Sequence, residues 1–223
     1  MIRSITADPL RPRAAAAIDW PHWTRLIDRK RRHLVMPRIW PGWVYREGTR
    51  ASFRLEGIDV TEADVAAAVM ARPFRSRPAG RLRAHLAILR RLDRWRGRRP
   101  GLTTVDVLGW YAAVSAGLGT AGPTDAGGER LADVVRRVNS PQRRLQPAVT
   151  EIARLHAELL ADPLFPGFNG IVARLLLHAH LTTCGLPPVV ADATQDAWPD
   201  ASVGIIAGTL LVRVEQSLDR LAG

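Results

Sequence analysis

The sequence has little cysteine and no long hydrophobic run, and both absences exclude whole classes of protein. The single cysteine, Cys184, rules out an intrachain disulfide and a cysteine-rich metal site within one chain. No apolar run reaches the roughly 18 residues that a membrane-spanning helix needs, so we expect no membrane span. Residues 1–13 are too rich in arginine to form the apolar core of a signal peptide, which favours a cytoplasmic location.

Lysine is also scarce, so the positive charge of the chain is carried almost entirely by arginine. Lys30 is the only lysine among 32 basic residues, and the formal net charge is +11. The region from Arg72 to Arg99 is especially basic and contains one acidic residue, Asp93. Two interpretations are open: a surface that docks an acidic protein or nucleic acid, or a solvated face with an exposed loop.

The pattern of apolar residues predicts an all-α fold. The 223 residues fit one domain, and leucines at positions 82, 86, 89 and 92 lie on one helical stripe. We also consider a short β-hairpin over 130–138, and we divide the chain into an N-terminal helical extension, 1–48, and a compact domain, 49–223. The predicted helices are 20–34, one capped by Thr61 and running to 71, 81–95, one capped by Thr103 or Thr104 and running to 116, 140–161, 169–183 and 202–221.

Residues 163–174 carry a resemblance to a known sequence signature. They read P-L-F-P-G-F-N-G-I-V-A-R. The segment resembles the signature H-P-F-x-D-G-N-G-R-x-x-R of the Fic/Doc (Fido) family. Without gaps, the matching positions are Phe165, Asn169, Gly170 and Arg174. The resemblance implies a Fic-like helical bundle in which the helix beginning at 169 borders the ligand pocket.

Two upstream segments strengthen this resemblance. Residues 52–57 contain Ser52, Glu56 and Gly57 in the spacing [S/T]-x-x-x-E-[G/N], which is similar to the inhibitory-helix motif of the family. Residues 128–130 and 134–140 resemble the flap that precedes the signature helix. The three segments occur in the family's order along the chain.

The residues that carry AMP transfer in the family are absent here. Transfer needs a base for the acceptor hydroxyl, a carboxylate for a metal ion and arginines for the phosphates. The resemblance aligns Pro163, Gly167 and Ile171 with the family's histidine, aspartate and first arginine, and Phe168 with a glycine. We therefore expect no AMP transfer, no metal site and no binding of ATP with Mg²⁺, and we predict no cofactor.

The resemblance implies an ion pair between Glu56 and Arg174, because the family's inhibitory glutamate pairs with the second signature arginine. We predict that this pair is bidentate and partly buried. Two roles remain open for it. It is either a gate that blocks nucleotide entry or a salt bridge that fixes the segment 52–57 on the core.

Two histidines are candidates for replacement chemistry. His178 lies four residues after Arg174 and hence on the same helical face, while His156 lies near the end of the preceding helix. Each is either a catalytic group or a structural histidine. His180 is two residues further on and points away from His178, so the two cannot chelate one metal ion.

Three functions remain open from the sequence. The first is a pocket repurposed to bind a small molecule or nucleotide, without protein AMP-transferase activity. The second is an enzyme with new chemistry on a small-molecule substrate, using His156, His178, Arg174 and Glu56. The third is an interaction module that binds an acidic partner through Arg72–Arg99.

Overall fold

The computed structural model describes residues 17–34, 37, 40–70, 79–95, 101–116, 125–190 and 202–223. Within these residues all of the regular secondary structure is helical, which confirms the predicted all-α class. The helices are α1 (Trp20–Arg32), α2 (Gly42–Arg54), α3 (Glu62–Val69), α4 (Ala79–Trp95), α5 (Thr104–Ser115), α6 (Asp125–Val138), α7 (Leu145–Ala161), α8 (Asn169–Thr183) and α9 (Val203–Ala222).

Helix α8 lies at the centre of the fold. It contacts α2, α4, α5, α6 and α7, and twelve of its fifteen residues are buried. A helix that is apolar on all sides is stable only when it is surrounded by other elements. The helix ends at Thr183, and Gly185, two residues further on, has a φ of 70° in the left-handed region that suits glycine after a helix end.

The buried apolar residues form two hydrophobic cores, and α8 contributes to both. The larger core contains residues of helices α2, α3, α4, α5 and α6 and of the first turns of α8. Phe53, Val107 and Ile171 are fully buried in it. The second core joins α1, α7 and α9 with the end of α8, around Ile27 and Leu210. Two ion pairs at its edge link α1 to α9, from Nζ of Lys30 to Glu215 at 2.8 Å and to Asp219 at 2.6 Å.

Two predicted helix starts are confirmed in atomic detail. Thr61 and Thr103 each form a capping box, in which the threonine hydroxyl accepts from the backbone N–H three residues on and an aspartate side chain accepts in return. Helix α3 ends at Val69, close to the predicted end at residue 71, which lies outside the described residues.

Helix α2 contains only the first part of the segment 52–57 for which helix was expected. It begins earlier, at Gly42, and ends at Arg54, and residues 55–57 form a turn. Its buried face includes Thr49 and Ser52 beside Tyr45 and Phe53. Polar residues on the inner face hide the apolar periodicity, which is why the sequence pattern did not reveal this helix. The predicted boundary between residues 48 and 49 lies inside it.

The hairpin considered for 130–138 is wrong, because these residues belong to α6. The buried residues Leu131, Val134, Val135 and Val138 follow the helical spacing i, i+3, i+4 and i+7. Three of them are β-branched valines, whose strand preference suggested the hairpin. The flap-like segment is therefore helical over its described residues up to Val138.

Helix α7 begins at Leu145, not at the predicted Ser140. The hydroxyl of Ser140 donates to the carbonyl of Arg136 at 2.8 Å and so closes the end of α6. Pro147 lies in the first turn of α7, where its missing N–H costs no helical hydrogen bond.

No helix in the described part of the chain combines the length and apolar character needed to cross a bilayer.

Candidate functional site

The ion pair between Glu56 and Arg174 is present and joins residues 118 positions apart in the chain. The Nη2 atom of Arg174 lies 2.7 Å from Oε1 of Glu56. The side chains are 11% and 20% exposed respectively, so the pair is partly buried as predicted. It connects the turn after α2 to the first turns of α8.

Ser52 holds the same guanidinium from the last turn of α2. Its Oγ accepts from Nε of Arg174 at 2.8 Å, and its backbone carbonyl accepts from Nη2 at 2.8 Å. The last carbonyls of a helix have no partner within the helix, and a cation at that end is favourable. Gly57, at φ 70°, ends this turn, and its N–H donates to the carbonyl of Arg54 at 2.9 Å.

Gly170 allows the Glu56 carboxylate to lie directly against α8. A Cβ at this position would collide with Oε1 of Glu56 and would lie 3.0 Å from Nη1 of Arg174. The first-turn N–H groups of a helix lack partners within the helix and attract anions. Phe168, the N-cap residue, provides no side-chain cap. The chain therefore places its own carboxylate at a position suited to an anion.

The loop before α8 adopts an unusual conformation. Gly167 and Phe168 are both left-handed, with φ of 68° and 52°. Glycine adopts this region freely, whereas a bulky residue such as phenylalanine is an outlier there. The Phe168 ring is covered by the guanidinium of Arg81, 5.2 Å from the ring centroid. Pro163 is exposed at the start of the loop.

Phe165 anchors the loop in the core instead of facing a ligand. Its ring stacks on Tyr111 with centroids 4.4 Å apart. The hydroxyl of Tyr111 donates to the carbonyl of Pro166 at 2.8 Å. This position of the motif is therefore structural.

Asn169 holds the loop closed at both ends. Its Oδ1 accepts from the backbone N–H of Leu164 at 3.0 Å, and its Nδ2 donates to the carbonyl of Leu159 at 2.6 Å. Both bonds are buried, so no solvent replaces them when the side chain is removed. The asparagine fixes the distance between the end of α7 and the start of α8.

We expect the substitution Asn169→Ala to lower the free energy of unfolding by about 2–3 kcal/mol, because a buried N–H and a buried carbonyl lose their partners. Urea unfolding followed by circular dichroism measures this loss. Asn139 offers a matched control, since it makes the same two types of bond to Leu102 at a less buried position. If Asn169→Ala lowers the free energy of unfolding no more than Asn139→Ala does, the two buried bonds of Asn169 do not hold the loop as we infer.

A small cavity lies beside the ion pair, between α2, α4 and α8. Its wall includes Ser52, His85, Arg174 and His178. The volume of about 30 Å³ accommodates one or two water molecules, not a metabolite. Of the two candidate catalytic histidines, only His178 borders this cavity.

His156 is buried in the core and does not line the cavity. Burial lowers the pKa of His156 to about 3, with a further lowering by the positive charge of Arg174. A hydrogen bond with the backbone of Ala173 acts in the opposite direction. A neutral, inaccessible imidazole with this pKa is poorly suited to general base catalysis.

His85 belongs to this cluster but was missed from the sequence. Its Nδ1 lies 3.0 Å from Oγ1 of Thr49. Burial lowers its pKa to about 3, and the nearby charges of Arg174 and His178 add to the lowering. Its position three residues after Leu82, on the leucine stripe of α4, was the available signal that it faces inward.

No group of three or more histidine, cysteine or acidic side chains is placed to hold a metal ion within the described residues. At the three positions aligned with family functional residues, Pro163 and Gly167 are exposed and Ile171 is fully buried. The described site thus presents one arginine and one carboxylate, paired with each other.

The arginine-rich region lies partly outside the described residues, which omit 71–78 and 96–100. Several of its described arginines make contacts within the chain. Arg90 donates to the carbonyl of Val69, and Arg91 pairs with Asp106 at 2.6 Å. These two guanidiniums are engaged in local structure.

Comparison with known proteins identifies similar structures but no similar sequences. No protein-family model matches the chain, and a sequence search of curated proteins gives no significant match. Fic-1 from C. elegans aligns with a TM-score of 0.71 and 18% identity, over 92% of this chain and 71% of that one.

Two bacterial structures agree with this result. A Fic-domain-containing signaling protein from Bacteroides thetaiotaomicron has a TM-score of 0.62 and 14% identity, and covers 91% of this chain and 92% of its own. A Fic family protein from Desulfovibrio desulfuricans has a TM-score of 0.63 and 16% identity, over 94% and 76%. The chain therefore has the fold of Fic domains.

Proposed function

We propose that this Fic-fold protein does not transfer AMP and binds an anionic small molecule or nucleotide at the N-terminus of α8. The observation that carries the proposal is the Glu56 carboxylate, which lies against Gly170 and 2.7 Å from Nη2 of Arg174. A carboxylate at that position indicates that the helix end and the guanidinium together attract an anion. A ligand binds by taking the place of this carboxylate.

The residues present argue against phosphoryl transfer at this site. Pro163 cannot titrate, Gly167 has no side chain for a metal ion, and Ile171 is an apolar residue in the core. Losing a general base alone typically lowers a rate by about 10²–10⁴-fold. The remaining groups are suited to binding an anion, not to activating a hydroxyl.

An alternative function is an enzyme that acts on a small molecule beside Arg174. His178 favours it, because His178 and Arg174 share the wall of one cavity. The cavity's small volume and the separate burial of His156 weigh against it. The docking function for Arg72–Arg99 depends largely on residues outside the described part of the chain.

The proposal is tested by screening nucleotides and anionic metabolites for thermal stabilisation of the wild-type protein and a Glu56→Gln variant. The variant removes the competing charge while keeping the size of the side chain, so we expect ligands to bind it at least about tenfold more tightly than wild type. Calorimetric titration of the best compound then measures the ratio.

An Arg174→Met change added to Glu56→Gln provides the control, because it removes the cation that holds the ligand. We expect this double variant to lose the gain in affinity. The proposal fails if no compound binds to Glu56→Gln, or if its affinity equals that of the wild type.

A further inference from the structure

A second basic feature lies at the junction of α6 and α7 and includes part of the flap-like segment 134–140. Arg136 and Arg137 end α6, Arg143 and Arg144 precede α7, and Arg154 follows two turns into α7. Arg136, Arg137 and Arg154 border an open cleft with a volume of about 510 Å³. Small-molecule sites in proteins commonly have this size.

The walls of the cleft are rich in hydrogen-bond donors. Besides Arg136 and Arg154, they include Thr150 and the side-chain amides of two glutamines, Gln142 and Gln146. Ser140 also lines the cleft, but its hydroxyl donates to the carbonyl of Arg136. Within the lining, Glu151 is the acidic residue, and it is shared between Arg137 at 2.7 Å and Arg154 at 3.0 Å. The lining therefore has an excess of donors and of positive charge.

The arginines of the cleft have different roles. Arg137 is 22% exposed and is held by Glu151 and by Glu158 at 2.5 Å, so it is a structural anchor. Arg136 and Arg154 have side chains that are 76% and 53% exposed. Arg136 pairs with Asp133 on the outer surface. Both guanidiniums are exposed to solvent although each is in a surface ion pair, so a ligand would compete with Asp133 and Glu151 for them.

The N-terminus of α7 borders the same cleft. Its N-cap residue, Arg144, makes no side-chain cap, and the first helical bond inside the turn runs from the N–H of Ala148 to the carbonyl of Arg144. Gln146 and Pro147, in the first turn, line the cleft. The buried His180 interacts electrostatically with Glu151 and Arg137, and its ring nitrogens have no hydrogen-bond partner among the described residues.

We propose that this α6–α7 cleft, lined by Arg136, Ser140, Gln146 and Arg154, binds the phosphate group of a phosphorylated small molecule. Guanidinium forks match the oxygen geometry of phosphate, and the side-chain amides of Gln142 and Gln146 and the hydroxyl of Thr150 complete the donor set. The cleft exceeds the size of one phosphate, and Pro147 offers an apolar surface to the organic part of the ligand.

Calorimetric titration with inorganic pyrophosphate at low ionic strength tests this site. We expect the wild-type protein to bind, and we expect Arg136→Gln/Arg154→Gln to lower the affinity by about tenfold or more. A Ser140→Glu variant, which places a negative charge in the cleft, has the same expected effect. Thermal unfolding verifies that each variant is folded.

The matched control is Arg46→Gln/Arg94→Gln, which removes the same charge from exposed positions outside the cleft. Its affinity is expected to equal that of the wild type. The proposal is overturned if pyrophosphate does not bind, if both double variants weaken binding equally, or if binding survives in the cleft variant, which would place the anion elsewhere, for instance at α8.

A single-stranded DNA dodecamer distinguishes the source of the phosphate. The proposal predicts that the dodecamer binds the cleft no more tightly than pyrophosphate does. A dodecamer that binds with a steep dependence on salt while pyrophosphate does not would assign the surface to a nucleic-acid backbone and overturn the small-molecule assignment.

Discussion

Acidification from about pH 7 to about pH 5 is expected to lower the free energy of unfolding by roughly 6 kcal/mol, because three buried histidines are neutral in the fold. Burial lowers the pKa of His85 and His156 to about 3 and that of His180 to about 4. All three side chains are at most 2% exposed. Such a loss is comparable to the whole stability of an ordinary domain.

The sign follows from the direction of these pKa changes. Each histidine binds a proton near pH 6.5 in the unfolded chain but only near pH 3–4 in the fold. The unfolded state therefore gains protons first as the pH falls below about 6.5, and each histidine costs roughly 2 kcal/mol at pH 5. The loss levels off once the pH falls below the folded pKa values.

A His180→Leu variant isolates one contribution. Both ring nitrogens of His180 lack a hydrogen-bond partner within the described residues, so leucine leaves no new polar group unsatisfied there. Its loss of stability between pH 7 and pH 5 should be about 2 kcal/mol smaller than that of the wild type. Urea unfolding at both pH values gives the difference.

The exposed His33 provides the control for this comparison. His33→Leu should leave the pH dependence as it is in the wild type. If His180→Leu and His33→Leu show the same pH dependence, the buried histidines do not control the acid sensitivity of the fold.

The second large effect is expected from Arg174→Met, which should lower the free energy of unfolding by about 3 kcal/mol. The change leaves the Glu56 carboxylate without its cation and removes the donor to Ser52 Oγ and to its carbonyl. Glu56→Gln should cost only about 1 kcal/mol, because the amide oxygen still accepts from Arg174. The two halves of one ion pair therefore have unequal costs.

A double-mutant cycle with Glu56→Gln/Arg174→Met measures the coupling between the two side chains, for which we expect about 1–2 kcal/mol. Arg91→Met is a suitable reference, since Arg91 is 67% exposed in its pair with Asp106. Exposed pairs typically contribute under about 1 kcal/mol. Equal costs for Arg174→Met and Arg91→Met would show that the buried arrangement gives no extra stability.

The sequence predicted α8 correctly at both ends because its boundaries are set locally. Gly185 supplies the left-handed residue that ends the helix, and Asn169 begins it directly after the loop. Thr61 and Thr103 marked two further starts by the same kind of local chemistry. Local signals of this type do not depend on what a helix packs against.

The errors arose where tertiary contacts decide the structure. In α6, buried valines follow a helical spacing but have a preference for strand, and packing on the core determines the outcome. In α2, Thr49 and Ser52 face inward because His85 and Arg174 supply their partners. No periodicity of apolar residues reveals a polar inner face.

The candidate site shows the same division. The pairing of Glu56 with Arg174 was predictable because the family resemblance, carried by two motifs far apart in the chain, implies it. The involvement of His85 was not, since it depends on the packing of α4 against α2 and α8. The two hydrogen bonds by which Asn169 closes the loop could not be predicted either, because they depend on the positions of Leu159 and Leu164 in the fold.

The most direct test of the central claim is an AMP-transfer assay with radiolabelled ATP, Mg²⁺ and cell lysate, using the Glu56→Gln variant beside the wild type. The amide still accepts from Arg174 but holds it less strongly, so the variant would release at least part of the activity of any transferase that the Glu56 carboxylate holds inactive. We expect no labelled protein from either form, because Pro163, Gly167 and Ile171 supply no base, metal ligand or phosphate contact. AMP attached to protein by the Glu56→Gln variant, above a no-enzyme control, would contradict the account.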